Sequence, residues 1–261
     1  MINKVITAAK LAGKELTKHF GQSLTVTNKS SLADFRTEAD LASEKVILDN
    51  LQQDFPDYNF FSEEKGWIKN DSDFTFVIDP LDGTNNFTIG LPNFSISIAL
   101  QKNKETILGV VYQPILKEVF WAEKDKGAYL NKSRLKTNGV ESLQEATVSY
   151  LCGYKDSGKT EENLLTICHK YGIKRLLSNW SPALDFCRLA SGKIESIICN
   201  GNDIYDNMAG KLIVKEAGGI ITQLDGSKEQ DETSTYFTAS SNKHMHQKIL
   251  DISQQLALLP R

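Results

Sequence analysis

The chain has 261 residues, 40% hydrophobic and 24% charged, with a formal net charge of −3. That length is enough for one large domain or two tightly joined layers, and the composition excludes collagen, coiled coil and wholesale disorder. Mild acidity supplies neither the basic footprint of a nucleic-acid binder nor a polybasic membrane patch.

In chain order, Ile2, Val5, Ile6, Ala9, Ala12 and Leu16 recur at helical spacing with Lys4, Lys10 and Lys14 between them. This predicts an amphipathic surface helix over about 1–20 rather than a signal peptide, and no apolar run is long enough to span a bilayer. A second helix is predicted over 38–54, with Ala42, Val46, Ile47 and Leu51 on one side. The strand FTFVI follows, then FSISIALQ, ETILGVVYQP, EVFWAEK and a hairpin-like GAYLNKSRLK, which read as an antiparallel meander. From about 146 the pattern alternates: strands ATVSYL, RLLSN, KIESIICN, GGIITQL and YFTASS, with helices at 161–171, 182–191, 206–217 and 242–256. No linker rich in Gly, Ser or Pro interrupts the chain. It therefore reads as a single domain, 1–261, with an α+β half to about residue 145 and an α/β half from about 146. Cys152, Cys168, Cys187 and Cys199 lack CxxC spacing, which predicts reduced, mostly buried thiols and a cytoplasmic location. His19, His169, His244 and His246 fall on presumed helices, with surface positions expected.

The stretch VIDPLDGTNNF carries the chemistry. Asp79 follows a buried strand, Pro80 restrains it to an extended form, and Asp82 comes one short bend later. Two carboxylates held close repel unless they are protonated or share a cation. Mg²⁺ accepts carboxylates and backbone carbonyls, and the Leu81 carbonyl stands between the two acids. Gly83 and Thr84 open a short helical segment, TNNFTIG, whose first amides suit a phosphate. The plainer reading is an Asp-rich turn with Asp82 as a helix N-cap. Glu63 and Glu64, in FFSEEKG, read alone as a solvated loop, and Asp206, before the helix closed by Gly218-Gly219, reads alone as an N-cap.

Together TEAD (Thr37–Asp40), SEE (Ser62–Glu64), DPLDGTNNF (Asp79–Phe87), ALDFCRLASGKIE (Ala183–Glu195) and YDNMAGKLIVKEAGG (Tyr205–Gly219) resemble the inositol monophosphatase family of lithium-sensitive, Mg²⁺-dependent phosphatases. The resemblance spans nearly the whole chain. It implies an α/β fold of the layered α+β sandwich type, with alternating helix and sheet layers, and a homodimer acting on a small phosphorylated metabolite, with no nucleic acid or membrane partner. It also implies two or three Mg²⁺ ions, with Mn²⁺ as a substitute, held by Glu63, Asp79, the Leu81 carbonyl, Asp82 and Asp206. Glu63 and Thr84, supported by Asp40, resemble the groups that orient and deprotonate the attacking water. Leu81, Asp82, Gly83, Thr84, Trp180, Ser181, Pro182 and Asp206 resemble the substrate contacts. Lys29 falls on the flap that closes over the metals in this family.

The resemblance thins around the substrate. SNWSPALDF puts Trp180, Ser181 and Pro182 where smaller residues are usual, and Cys199 replaces an acidic residue seven positions before Asp206. Asp203 reads as a solvated loop acid, with substitution for that missing acid as the alternative, and Trp180 is expected in packing. Tyr205, where Trp is more common, resembles histidinol-phosphate phosphatases. Inositol-1-phosphate is the leading expectation; histidinol phosphate, fructose-1,6-bisphosphate and 3′-phosphoadenosine-5′-phosphate are alternatives. A non-catalytic phospholigand-binding protein is the alternative of another class.

Overall fold

Helix α1 (Ile2–His19) follows the opening periodicity and buries Val5, Ala8, Ala9, Ala12 and Leu16 in the computed structural model, which describes residues 1–29, 34–154, 158–229 and 232–257. A two-stranded antiparallel ribbon follows, β1 (Val26–Asn28) and β2 (Phe35–Thr37). Helix α2 (Glu38–Asp54) starts at a capping box made by Thr37 and Asp40. Strands β3 (Asn59–Ser62) and β4 (Gly66–Ile68) then lead to the long β5 (Phe74–Asp82). Strands β1 to β4 escape pattern reading because three or four residues carry too little alternation to register.

After the five-residue α3 (Thr84–Thr88), the meander appears as β6 (Ser95–Lys102), β7 (Glu105–Gln113), β8 (Glu118–Glu123), β9 (Ala128–Leu130) and β10 (Ser133–Arg134). These join β5, β3 and β4 in an eight-stranded sheet of order β10-β9-β8-β7-β6-β5-β3-β4. All its pairings are antiparallel except β3 with β5. The second half supplies β11 (Thr147–Cys152), α4 (Lys159–Lys170), β12 (Arg175–Leu177), α5 (Pro182–Ala190) and β13 (Ser196–Asn200). It ends with α6 (Ile204–Glu216), β14 (Ile220–Gln223), β15 (Tyr236–Ser240) and α7 (Lys243–Ala257). Its five-stranded sheet has the order β12-β11-β13-β15-β14, with β12, β11 and β13 parallel.

Helices and sheets alternate in layers, as expected. Helices α1 and α2 cover one face of the large sheet. Helices α5 and α6 fill the space between the sheets, where Phe186, Met208 and Ile213 meet Val111 of one and Ile197 and Phe237 of the other. Helices α4 and α7 close the far face through Leu164, Met245 and Ile249. Of the four cysteines, Cys168, Cys187 and Cys199 are buried thiols. His246 departs from its expected surface position: it is 5% exposed, with its ring nitrogens 3.1 Å from Ser240 Oγ and 2.9 Å from Thr222 Oγ1. Its helical face turns inward, and burial pushes its pKa down to about 4.

Helix α6 lies close on the large sheet because β7 offers Gly109 beneath it. A Cβ there would stand 2.7 Å from the Ala209 carbonyl oxygen. Gly109→Ala is therefore expected to destabilise the fold by about 1–3 kcal/mol in urea unfolding. Unchanged stability would show that α6 can lift without cost.

Candidate active site

The two motif aspartates do not follow a strand; they lie in its bulged end. Asp79 pairs with Ser97 and Asp82 with Ser95, so β5 spends one residue more than β6 between the two pairs. In a regular strand, residues three apart point to opposite faces; one inserted residue brings them to the same face. The Leu81 N–H donates to Asp79 Oδ1 at 2.9 Å, and Ser43 Oγ donates to the Pro80 carbonyl at 2.7 Å. Pro80 itself has no N–H to leave unpaired. Asp82 is not an N-cap, because α3 begins one residue later behind Gly83, whose φ is 90°. A Cβ at Gly83 would also meet the Asn93 carbonyl oxygen at 2.9 Å.

Asp206 comes from the first turn of α6, where the cap position belongs to Asp203 rather than to Asp206. Ser97 Oγ pins this turn by donating to the Tyr205 carbonyl at 3.0 Å. The result is a cluster in which Asp79, Asp82 and Asp206 each offer an oxygen within 4.8 Å of the others. Burial, then the Glu63 charge and the other two aspartates, lifts Asp79 well above the usual carboxylate range. Burial, then Asp82, does the same to Asp206. Asp82 is pushed up to about 6 by burial, opposed by donors from Ser181 Oγ, Ser95 Oγ and the Ala183 N–H. Anionic oxygens gathered so tightly, with the adjacent Leu81 carbonyl, fit a hard divalent cation.

Two further groups stand beside the cluster. Thr37 N and Oγ1 both donate to Asp40 Oδ2, at 2.7 and 2.6 Å, which leaves Oδ1 for Thr84 Oγ1 at 3.1 Å. The box that starts α2 thus also fixes the Thr84 hydroxyl. Burial, opposed by the Thr37 bonds, raises Asp40 to about 6. Glu63 lines the same cleft and bonds the Lys29 ammonium at 2.8 Å. Its pKa rises to about 7 through burial, opposed by Lys29. Glu64 is not solvated: its side chain is 1% exposed and pairs with Lys29 and Arg36. Of the TNKSS segment, Ser30 and Ser31 lie outside the described residues. Glu44, which sequence reasoning passed over, is buried and accepts from Ser62 Oγ and, at 2.9 Å, from the Lys65 N–H, fixing the loop that carries Glu63. Its partners lie 18 and 21 residues away, so no local pattern marks it.

The cleft holds about 180 Å³ and is also lined by Gly83, Asn85, Tyr154, Trp180, Pro182, Asp203 and Tyr205. Ser181, named above among substrate contacts, is fully buried and donates to Asp82 Oδ2 at 2.5 Å. Trp180, expected in packing, is 48% exposed. Cys199 is buried with Sγ 3.2 Å from the Thr235 carbonyl oxygen.

A profile of the inositol monophosphatase family matches residues 1–258. The chain belongs to the inositol monophosphatase family. A Nus factor SuhB of Pasteurella multocida is 36% identical over 87% of this chain and 86% of its own. A fructose-1,6-bisphosphatase/inositol-1-monophosphatase of Thermotoga maritima is 34% identical over 96% and 94%. The crystal structure of extragenic suppressor protein suhB from Bartonella henselae superposes with a TM-score of 0.90 at 30% identity, covering 97% of this chain and 98% of that one. With the acidic cluster of Asp79, Asp82 and Asp206, this makes the chain a metal-dependent phosphatase of that family, acting on a small phosphorylated metabolite. Among the described residues no helix is long and apolar enough to cross a membrane.

The raised carboxyls set a pH dependence. Asp82 at about 6 and Glu63 at about 7 replace ordinary values of 3.8 and 4.5. A proton held more tightly in the folded state stabilises it fully below the ordinary pKa, and that stability is lost as pH rises through the folded pKa. In chelator, Tm is thus expected to fall between about pH 5 and about pH 8, while the increment produced by Mg²⁺ grows over the same interval. A metal-free Tm that rises across it would contradict this electrostatic account.

Proposed function

We propose that the chain is a Mg²⁺-dependent phosphomonoesterase that hydrolyses its substrate by direct attack of water. The observation that carries this reading is the convergence of Asp79, Asp82 and Asp206 beside the Thr84 hydroxyl in one cleft. Glu63, Asp79, the Leu81 carbonyl, Asp82 and Asp206 would hold the ions. When bound, the ions supply positive charge for the phosphoryl and leaving oxygens and make a coordinated water acidic.

The remaining work falls to side chains and amides of the chain. The single hydrogen of Thr84 Oγ1 has two acceptors, Asp40 Oδ1 at 3.1 Å and the Leu81 carbonyl at 3.0 Å, and donation to either leaves the lone pairs of that hydroxyl available to the attacking water. The Glu63 carboxylate, which lines the same cleft, accepts the proton the water gives up. The amides of Gly83 and Thr84 face the phosphoryl oxygens as charge builds on them. No covalent intermediate is required, and the buried thiols of Cys187 and Cys199 are pushed further from ionisation by their surroundings.

Inositol-1-phosphate remains the reference substrate because of the family. The departure at Cys199 argues against strong selectivity for it, since that thiol is turned to a backbone carbonyl. Asp203 lines the cleft and is the replacement we assign to the missing acid. Phosphate release measured with Mg²⁺, with and without lithium, over inositol-1-phosphate, histidinol phosphate, fructose-1,6-bisphosphate and 3′-phosphoadenosine-5′-phosphate tests the reading. Asp206→Asn is expected to lower kcat/KM by about 100-fold or more through lost metal binding. Full activity in that variant at saturating Mg²⁺ would remove Asp206 from the site. Metal-independent binding without turnover of any ester would favour a phospholigand-binding protein.

A further inference from the structure

Trp180 is the least comfortable residue of the cleft. Its φ is 52°, in the left-handed region, and nearly half its surface is exposed. A bulky side chain in that region costs about 1–2 kcal/mol of backbone energy, and an exposed indole forgoes its hydrophobic burial. Such a conformation persists only where the surroundings over-determine it. They do so here: Asn86 Nδ2 has the Asn93 and Asn179 carbonyls at 2.8 Å and the Trp180 carbonyl at 3.2 Å, three acceptors for its two hydrogens. Asn93 Nδ2 donates to the same Asn179 carbonyl at 2.9 Å, and Asn179 Nδ2 donates to the buried Asp185 at 3.0 Å. On the other side, Ser181 is tied to Asp82, and Pro182 opens α5. The backbone at 179–182 is therefore clamped while Trp180, a lining residue of the cleft, stays nearly half exposed.

That indole has company. The Tyr154 ring centroid lies 6.1 Å away with the planes at 41°, and the Tyr154 hydroxyl accepts from Asn85 Nδ2 at 3.2 Å. Both residues line the cleft that also holds the acidic cluster, and Ser181, the residue after Trp180, holds one of its carboxylates. An aromatic face at the mouth and an acidic cluster below suit the two ends of one small phosphomonoester.

We propose that the alcohol half of the substrate carries a planar aromatic or heteroaromatic ring, which stacks on Trp180 while its phosphate lies at the acidic cluster. This rests on the phosphomonoesterase reading and narrows its substrate class. The test compares kcat/KM at saturating Mg²⁺ for 2-phenylethyl phosphate, 2-cyclohexylethyl phosphate and inositol-1-phosphate. The first two share chain length and leaving-group chemistry, so their ratio reports the flat ring. The phenyl ester is expected to exceed the cyclohexyl ester by about three- to tenfold, through KM. Trp180→Leu should bring that ratio close to one, and Trp180→Phe should keep it above two-thirds of wild type, roughly, since a ring remains. Equal rates for the two hydrocarbon esters in the wild-type protein, or a ratio that Trp180→Leu leaves intact, would overturn the assignment. So would an inositol-1-phosphate preference over the phenyl ester that Trp180→Leu abolishes. If Trp180→Leu does not fold, Trp180→Gly, which relieves the left-handed strain, replaces it, and the wild-type ratio still decides. Failure of all three esters to release phosphate would overturn the phosphatase reading and the ring with it, whereas turnover without ring preference overturns the ring alone.

Discussion

The structure turns on the repulsion between carboxyls that the fold forces into one cleft. One extra residue in β5 puts Asp79 and Asp82 on the same face, and α6 brings Asp206 to within 4.8 Å of both. Water would screen such charges, but Asp79 and Asp82 are 2% exposed. What remains is proton uptake or a cation. A protein that keeps this cluster without a bound ion carries an electrostatic load, and the rest of the site consists of devices that hold the load in place.

Those devices are hydrogen bonds from distant elements. Asp82 is held by Ser95 of β6 and by Ser181 and Ala183 at the start of α5, so one carboxylate ties the large sheet to the middle helix layer. Asp40 serves two ends at once, closing the N-terminus of α2 and fixing Thr84. Helix α6 is tied down at its centre as well. The buried Lys211 ammonium pairs with Glu229, donates to the Ser234 carbonyl at 2.7 Å and sits 4.2 Å from the Phe237 ring centroid. Burial depresses the Lys211 pKa, and Glu229 offsets part of that effect. Removing either partner would strand a charge in the core, so the pair keeps α6, and Asp206 with it, in one position.

The same clamping has a consequence at the mouth of the cleft. Because Asn86, Asn93 and Asp82 fix the backbone around residue 180, the site can hold an indole outward without losing its shape. Rigidity built for charge placement is thereby available for recognising the rest of the substrate.

Much of this was legible in the chain. The periodicities of α1, α2, α5 and α7 mark their ends to within a few residues, and the spacing of Asp79 and Asp82 points to a cation. These are local features, set by dihedral preference, helix period and the chemistry of adjacent side chains. Other features were not legible. Glu64 reads as solvated until Lys29 and Arg36 are placed on it, His246 reads as a surface residue until α7 packs inward, and Trp180 is expected in packing until nearly half of it is found exposed. The Ser181 hydroxyl is found on Asp82, a bond that the local sequence does not show. Each depends on partners many residues away, or on a backbone angle imposed by them. The amino-acid sequence by itself determined the elements and the reactive residue types; only tertiary packing decided which charges meet, which are neutralised and which side chains are left facing the substrate.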